Sequence, residues 1–238
     1  MNSIEYGEII AANQYAGFIL STVNFRLAPA EMAWIINDSS PKVLFFEKQY
    51  QNHLEQIREQ LTSIDTYVCM DGEVDWAISY TAFIATGDEQ GPPCRAKEED
   101  IFCLIYTSGT TGRPKGCIWG HREMRQLMQV DAWLADMQQA DRALIVMPMF
   151  HLGGLVIGGS QHVRGGTNYL YREFDPAAII DGIEQHQLTF LLLAPTMLQM
   201  LLDSPKIQTA NLTSVRMLMY SAAPMPSPTL RKAIEVFD

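Results

Sequence analysis

Short runs of β-branched, aromatic and aliphatic residues alternate along this chain with longer stretches whose apolar positions recur at helical spacing. Residues 18–23, 42–46 and 66–70 are such runs and predict strands. Between the first two, residues 29–38 predict a helix, because Pro29 suits a first helical position and Met32, Ile35 and Ile36 fall on one face. The residue before it, Ala28, has no side-chain acceptor with which to cap it. A helix is expected over 75–85. The polar, turn-rich stretch 87–100, with Pro92 and Pro93, marks a candidate subdomain boundary or exposed linker. Residues 101–106 predict a strand, and 121–137 a helix with Met124, Leu127, Val130, Leu134 and Met137 on one face. Strands near 143–147, 167–171, 189–193 and 215–220 then alternate with helices near 176–186 and 195–203. This alternation predicts an α/β fold of mostly parallel sheets flanked by helices.

Composition narrows the function classes. The 238 residues are 47% hydrophobic, enough for a sizeable buried core, and 17 basic residues against 27 acidic ones give a net charge of -10. That balance argues against a broad surface for nucleic acid or anionic lipid. Apolar runs such as 18–23 and 189–194 are too short to cross a bilayer, and no basic segment followed by an apolar one opens the chain. A cytoplasmic protein without a transmembrane segment is expected. Cys69, Cys94, Cys103 and Cys117 form no C-x-x-C pair and have no histidine at metal-ligand spacing, so they read as free thiols. The thirteen methionines read as core filler, a methionine-lined ligand surface being the alternative.

The segment YTSGTTGRPKG, residues 106–116, follows the strand at 101–106 and packs four small hydroxyl residues, three glycines and two cations into eleven positions. Gly109 and Gly112 let the backbone approach a ligand, so that successive N–H groups can converge on phosphate oxygens. Thr107, Ser108, Thr110 and Thr111 add hydroxyl donors, and Lys115 adds a mobile point charge. Arg113 either does likewise or faces solvent. A polar surface loop is the plain alternative for such a composition. A Walker A loop is excluded by spacing: Pro114 stands five residues after Gly109, and Gly116 follows Lys115 where Ser or Thr is required. A G-x-G-x-x-G fingerprint is absent.

These eleven contiguous residues resemble the signature phosphate loop of adenylate-forming enzymes, the superfamily of acyl-CoA synthetases, luciferases and peptide-synthetase adenylation domains. Three flanking segments agree: NFRLAPAEMAWIIND at 24–38, PMFHLGG at 148–154, which is similar to an acyl-CoA synthetase motif, and YSAAPM at 220–225. The chain departs from the family pattern at Ala28, where Thr or Ser is common, and at Ser221, where Gly is common. The resemblance implies that residues 1–238 are part of the layered N-terminal AMP-binding domain of an acyl-CoA synthetase. It implies ATP and Mg2+, with coenzyme A as co-substrate, in the activation of a carboxylic acid, fatty acids foremost, through an acyl-adenylate.

The same resemblance implies catalytic roles for Lys115, at the phosphates, and for His151, as an aromatic gate between nucleotide and acyl pocket. Residues Thr107, Ser108, Gly109, Thr110, Thr111, Gly112 and Lys115 are then nucleotide-binding. Ser221, Ala222, Ala223 and Pro224 form the adenine surface, with a tight strand-to-helix turn as the alternative. Gly153 and Gly154 are expected to allow close packing at the start of the next helix. Asn24 and Arg26 are assigned structural roles, and a lone histidine such as His151 is otherwise often structural too. The family's acidic, magnesium-linked motif, its ribose-binding aspartate and its C-terminal lid with a catalytic lysine are expected beyond Asp238, and a further segment before Met1. The chain therefore reads as a fragment, inactive by itself. Alternative readings are a non-catalytic nucleotide-binding or scaffold protein, or an adenylation domain of another branch.

Overall fold

The computed structural model describes residues 1–88, 90, 91, 93–108 and 113–238. Contacts divide the chain into two compact units, Glu5–Met124 and a second made of Met1–Ile4 together with Arg125–Asp238. The stretch 87–100 lies within the first of these.

The Glu5–Met124 unit begins in helix α1 (Ile4–Ala16) and carries two three-stranded sheets. In one, β1 (Leu20–Thr22) runs parallel to β5 (Ile101–Thr107), which pairs antiparallel with β6 (Lys115–Gly120). In the other, β2 (Val43–Phe46), β3 (Thr66–Cys69) and β4 (Ile78–Ser79) are parallel. Helices α2 (Pro29–Ser39), α3 (Gln51–Ile57) and α4 (Tyr80–Ile84) belong here, and α5 (His121–Leu134) crosses the unit boundary. The core joins Met32 and Ile36 of α2, Phe46 of β2, Leu54 and Ile57 of α3, and Cys69 of β3.

Helix α2 starts at Pro29, and the side chain of Glu31 accepts the Ala28 N–H at 3.0 Å. Half of a capping box thus serves a helix whose cap residue has no acceptor of its own. The helix expected over 75–85 is corrected to the five residues of α4, preceded by strand β4. Tertiary contacts hold the region before it in a turn. The Trp76 ring stacks on Phe46 at 5.2 Å, meets Tyr67 edge-on and lies under the Arg58 guanidinium. The Ser79 side chain then accepts the Ala82 N–H and starts the helix.

In the other unit β7 (Arg142–Ile145), β8 (Thr167–Leu170), β9 (Phe190–Leu193) and β10 (Met217–Tyr220) form a wholly parallel sheet in the order β10-β9-β7-β8. Helices α6 (Leu152–Val163), α7 (Pro176–His186), α8 (Pro195–Asp203) and α9 (Ser227–Phe237) follow the strands. All four residues of β9 are buried, as expected of a strand covered on both faces. The core gathers Leu144, Ile179, Ile183, Leu191, Leu193 and Leu198.

The apolar face expected for 121–137 is corrected in part: Met124 and Met137 are buried as expected, but the face between them is rotated. Met124, Met128, Ala132 and Ala135 are buried, whereas Val130 and Leu134 are exposed. Met128 sets the rotation: it packs so closely on Gly159 of α6 that a Cβ there would stand 2.4 Å from its Cε. Among the described residues no helix is long and apolar enough to cross a membrane.

Candidate functional site

The glycine- and hydroxyl-rich segment joins β5 to β6. Tyr106 pairs with Gly116 and Thr107 with Lys115 in the antiparallel ladder, so the two ends of the segment form a hairpin stem. Strand β6 was not anticipated, because KGCIWG carries a lysine and two glycines instead of an alternating apolar pattern. Gly109, Thr110, Thr111 and Gly112 lie outside the described residues. Thr107, Ser108, Arg113 and Lys115 are exposed, and Lys115 pairs with no carboxylate among the described residues.

One strut of this stem escaped the sequence reading. The Tyr106 hydroxyl donates to Asp38 Oδ2 at 2.6 Å, at the end of α2, and its ring meets Trp34 edge-on with centroids 6.2 Å apart. Burial, and then the neighbouring Asp38 carboxylate, push the Tyr106 phenol well above its ordinary range, so it stays protonated and donates. Gly116 seats this ring: a Cβ there would lie 3.1 Å from Tyr106 Cζ. Tyr106 and Gly116 both stand inside the signature, and Trp34 and Asp38 inside the 24–38 segment; only the pairing between them was hidden.

In the parallel sheet, ligand-facing positions are expected beyond the carboxyl ends of the strands. The chain leaves β7 through PMFHLGG, and His151 becomes the N-cap of α6. Its N–H donates to the Pro148 carbonyl at 3.0 Å, and its own carbonyl accepts the Leu155 N–H. The His151 ring is exposed and rests against buried Phe150 with centroids 4.5 Å apart. Gly154 meets the close-packing expectation, since a Cβ there would stand 2.4 Å from the Pro148 carbonyl oxygen and 2.5 Å from that of Met147. Gly153 does not: a Cβ there meets nothing within 4 Å.

Residues 221–224 leave the carboxyl end of β10, with Ser221 N–H donating to Leu193 O at 3.3 Å. All four are exposed, and they lead towards α9 as a strand-to-helix turn. The left-handed conformation falls on Ala222, with φ 74°, and not on Ser221. The serine at a position where glycine is common therefore carries no conformational cost here. The structure thus brings the His151 turn and residues 221–224 to one edge of a single sheet, while the hairpin stem belongs to the other unit. Among the described residues no group of three or more His, Cys, Asp or Glu side chains is placed to hold a metal ion.

The profile described as "AMP-binding enzyme" matches residues 1–238. An indoleacetate–CoA ligase from Aromatoleum aromaticum is 30% identical over 233 residues, covering 97% of this chain and 46% of the relative. A long-chain-fatty-acid–CoA ligase from Thermus thermophilus is 30% identical over 214 residues, covering 88% and 39%. Among solved structures, the anthranilate CoA ligase AuaEII in complex with anthranoyl-AMP superimposes with a TM-score of 0.89 at 22% identity, over 99% of this chain and 46% of that one. At that identity the likeness speaks for the fold. The chain spans about half the length of the curated relatives it matches. With its full length matched by the family profile, the chain belongs to the AMP-binding enzyme family.

Proposed function

We propose that this chain carries part of an enzyme that activates a carboxylic acid with ATP and passes the acyl group to coenzyme A. A carboxylate oxygen attacks the α-phosphorus, the bond to the bridging oxygen breaks, and pyrophosphate leaves with the electron pair. The thiolate of coenzyme A then attacks the acyl carbon and AMP departs. Two anions meet in the first step, so the protein's work is largely electrostatic. Lys115 meets the phosphate oxygens that gain charge as pyrophosphate leaves. Thr107, Ser108, Thr110 and Thr111 donate hydroxyls, and Gly109 and Gly112 let backbone N–H groups approach. Ser221, Ala222, Ala223 and Pro224 offer a small-walled surface to adenine, and His151 gates the acyl pocket. The acid is one with an apolar acyl group, in keeping with the indoleacetate and long-chain fatty acid named for two relatives.

The observation that supports this reading most directly is the hairpin stem, where exposed Lys115 stands opposite Thr107 and follows a run of glycines and hydroxyls in the chain. In the whole protein, Lys115→Ala is expected to slow acid-dependent ATP–pyrophosphate exchange by about tenfold to a thousandfold, the scale of losing one preorganised charged stabiliser. Unchanged exchange rejects the role of Lys115. A whole protein that folds and binds ATP yet exchanges no pyrophosphate with any of a panel of acids rejects the enzyme itself.

A further inference from the structure

Asn2 stands near the start of the chain, 3% exposed, against the carboxyl ends of β7 and β8. Its amide nitrogen lies 3.3 Å from the Ile145 carbonyl oxygen, 3.0 Å from that of Met147 and 3.2 Å from that of Tyr171. Its amide oxygen accepts the Met149 N–H at 2.8 Å. The four partners fix the amide's orientation, because three carbonyls can only accept and a backbone N–H can only donate. Asn2 therefore extends the hydrogen bonding past the last residues of both strands, into the turn that precedes His151. The same turn is braced from its other side by Gly154, whose Cα leaves no room for a Cβ beside the carbonyls of Met147 and Pro148. The Pro148 carbonyl in turn receives the His151 N–H.

We propose that Asn2 is a positioning residue: by holding Met147 and Met149 it sets the path of residues 147–151 and so the place from which the His151 ring acts. This rests on the reading of His151 as the gate of the acyl pocket. An aspartate keeps the shape and the acceptor but presents a carboxylate to three carbonyl oxygens, so Asn2→Asp is the discriminating variant.

The test is residue-resolved amide hydrogen exchange on the full chain, with kinetics of the whole protein beside it. In the unmutated chain, Met149 lies outside every helix and strand, yet its amide is expected to exchange at least about 100-fold more slowly than an exposed loop amide. Asn2→Asp is expected to speed Met149 exchange by about tenfold or more while Leu191 in β9 and Leu218 in β10 keep their rates. In pyrophosphate exchange the variant is expected to raise the KM for the acid or lower kcat by about threefold or more, with the KM for ATP within about twofold. A Met149 amide as fast as an exposed loop in the unmutated chain overturns the proposal, and that measurement decides even where Asn2→Asp does not fold. Unchanged Met149 exchange in the variant overturns it too. Loss of thermal stability with both acid KM and kcat unchanged makes Asn2 a structural residue only and equally overturns it. Absence of all acid activation in the unmutated protein removes the proposed function, and the exchange measurements alone then decide the role of Asn2.

Discussion

Ala222 holds a left-handed backbone, φ 74°, that an L-residue with a Cβ adopts at a cost of about 1–2 kcal/mol. Glycine removes that cost and adds unfolded-chain entropy of about 0.4–1 kcal/mol in the opposite direction. Ala222→Gly is therefore expected to stabilise the chain by about 0.5 kcal/mol, measured by chemical denaturation; a clear loss contradicts the strain. At the hairpin stem, Tyr106→Phe deletes one hydrogen bond to Asp38 and is expected to cost about 1 kcal/mol by the same measurement. These two sites separate what a sequence displays from what it hides. The hydroxyls, glycines and Lys115 at residues 106–116 stand out in the sequence by their composition alone. Asn2 does not, since its partners are backbone groups at least 143 residues away and leave no side-chain pattern to read.

At the scale of elements, α7 and α8 have the bounds that their prolines and apolar spacing predict, and every parallel strand but β4 sits within a few residues of an apolar run. Helix α3 went unread, and three further misreadings are decided by distant contacts: β6 by its pairing with β5, the turn before β4 by Trp76 on Phe46, and the rotation of α5 by Met128 on Gly159. A further long-range device clasps the amino ends of β7, β9 and β10. Asp141, with a side chain 2% exposed, receives Arg216 on both oxygens, with 2.8 Å from Nε, along with the Thr189 hydroxyl at 2.7 Å and the Gln138 N–H at 2.7 Å. Burial, the largest single influence, pushes the Asp141 carboxyl up. The donors from Arg216, Thr189 and Gln138, together with the Arg216 charge, outweigh it and hold the group below its ordinary range. A folded pKa below the unfolded one means stability that is present above the unfolded value, near pH 4, and is lost as pH falls through the folded one. Thermal unfolding followed downward from about pH 5 is expected to show that loss, and Asp141→Asn to flatten it. Asp141→Ala, which removes the buried acceptor of the Arg216, Thr189 and Gln138 donors, is expected to cost about 2 kcal/mol.

For the whole molecule, the chain's division into two units bears on how its chemistry can be assayed. The hairpin stem lies in one, His151 and residues 221–224 in the other. Under the proposed function, the 238 residues assayed by themselves are expected to yield no acyl-CoA, because this chain matches only about half the length of its relatives. Following acyl-CoA formation with a panel of acids, for this chain and the whole protein side by side, checks this; robust turnover by the 238 residues overturns it.

The Glu5–Met124 unit is continuous in sequence, whereas its counterpart is split, with four residues at the very start and the remainder after Met124. On a ribosome the continuous unit is complete as soon as residue 124 emerges, but Asn2 must wait for Ile145, Met147, Met149 and finally Tyr171. Throughout that interval Asn2 lacks the four backbone partners it has in the finished fold. Contacts of such sequence separation form slowly, because a long loop closes before they return any stabilisation. The clasp of Asn2 on the turn before His151 is thus completed only once Tyr171 has been made, well after the Glu5–Met124 unit.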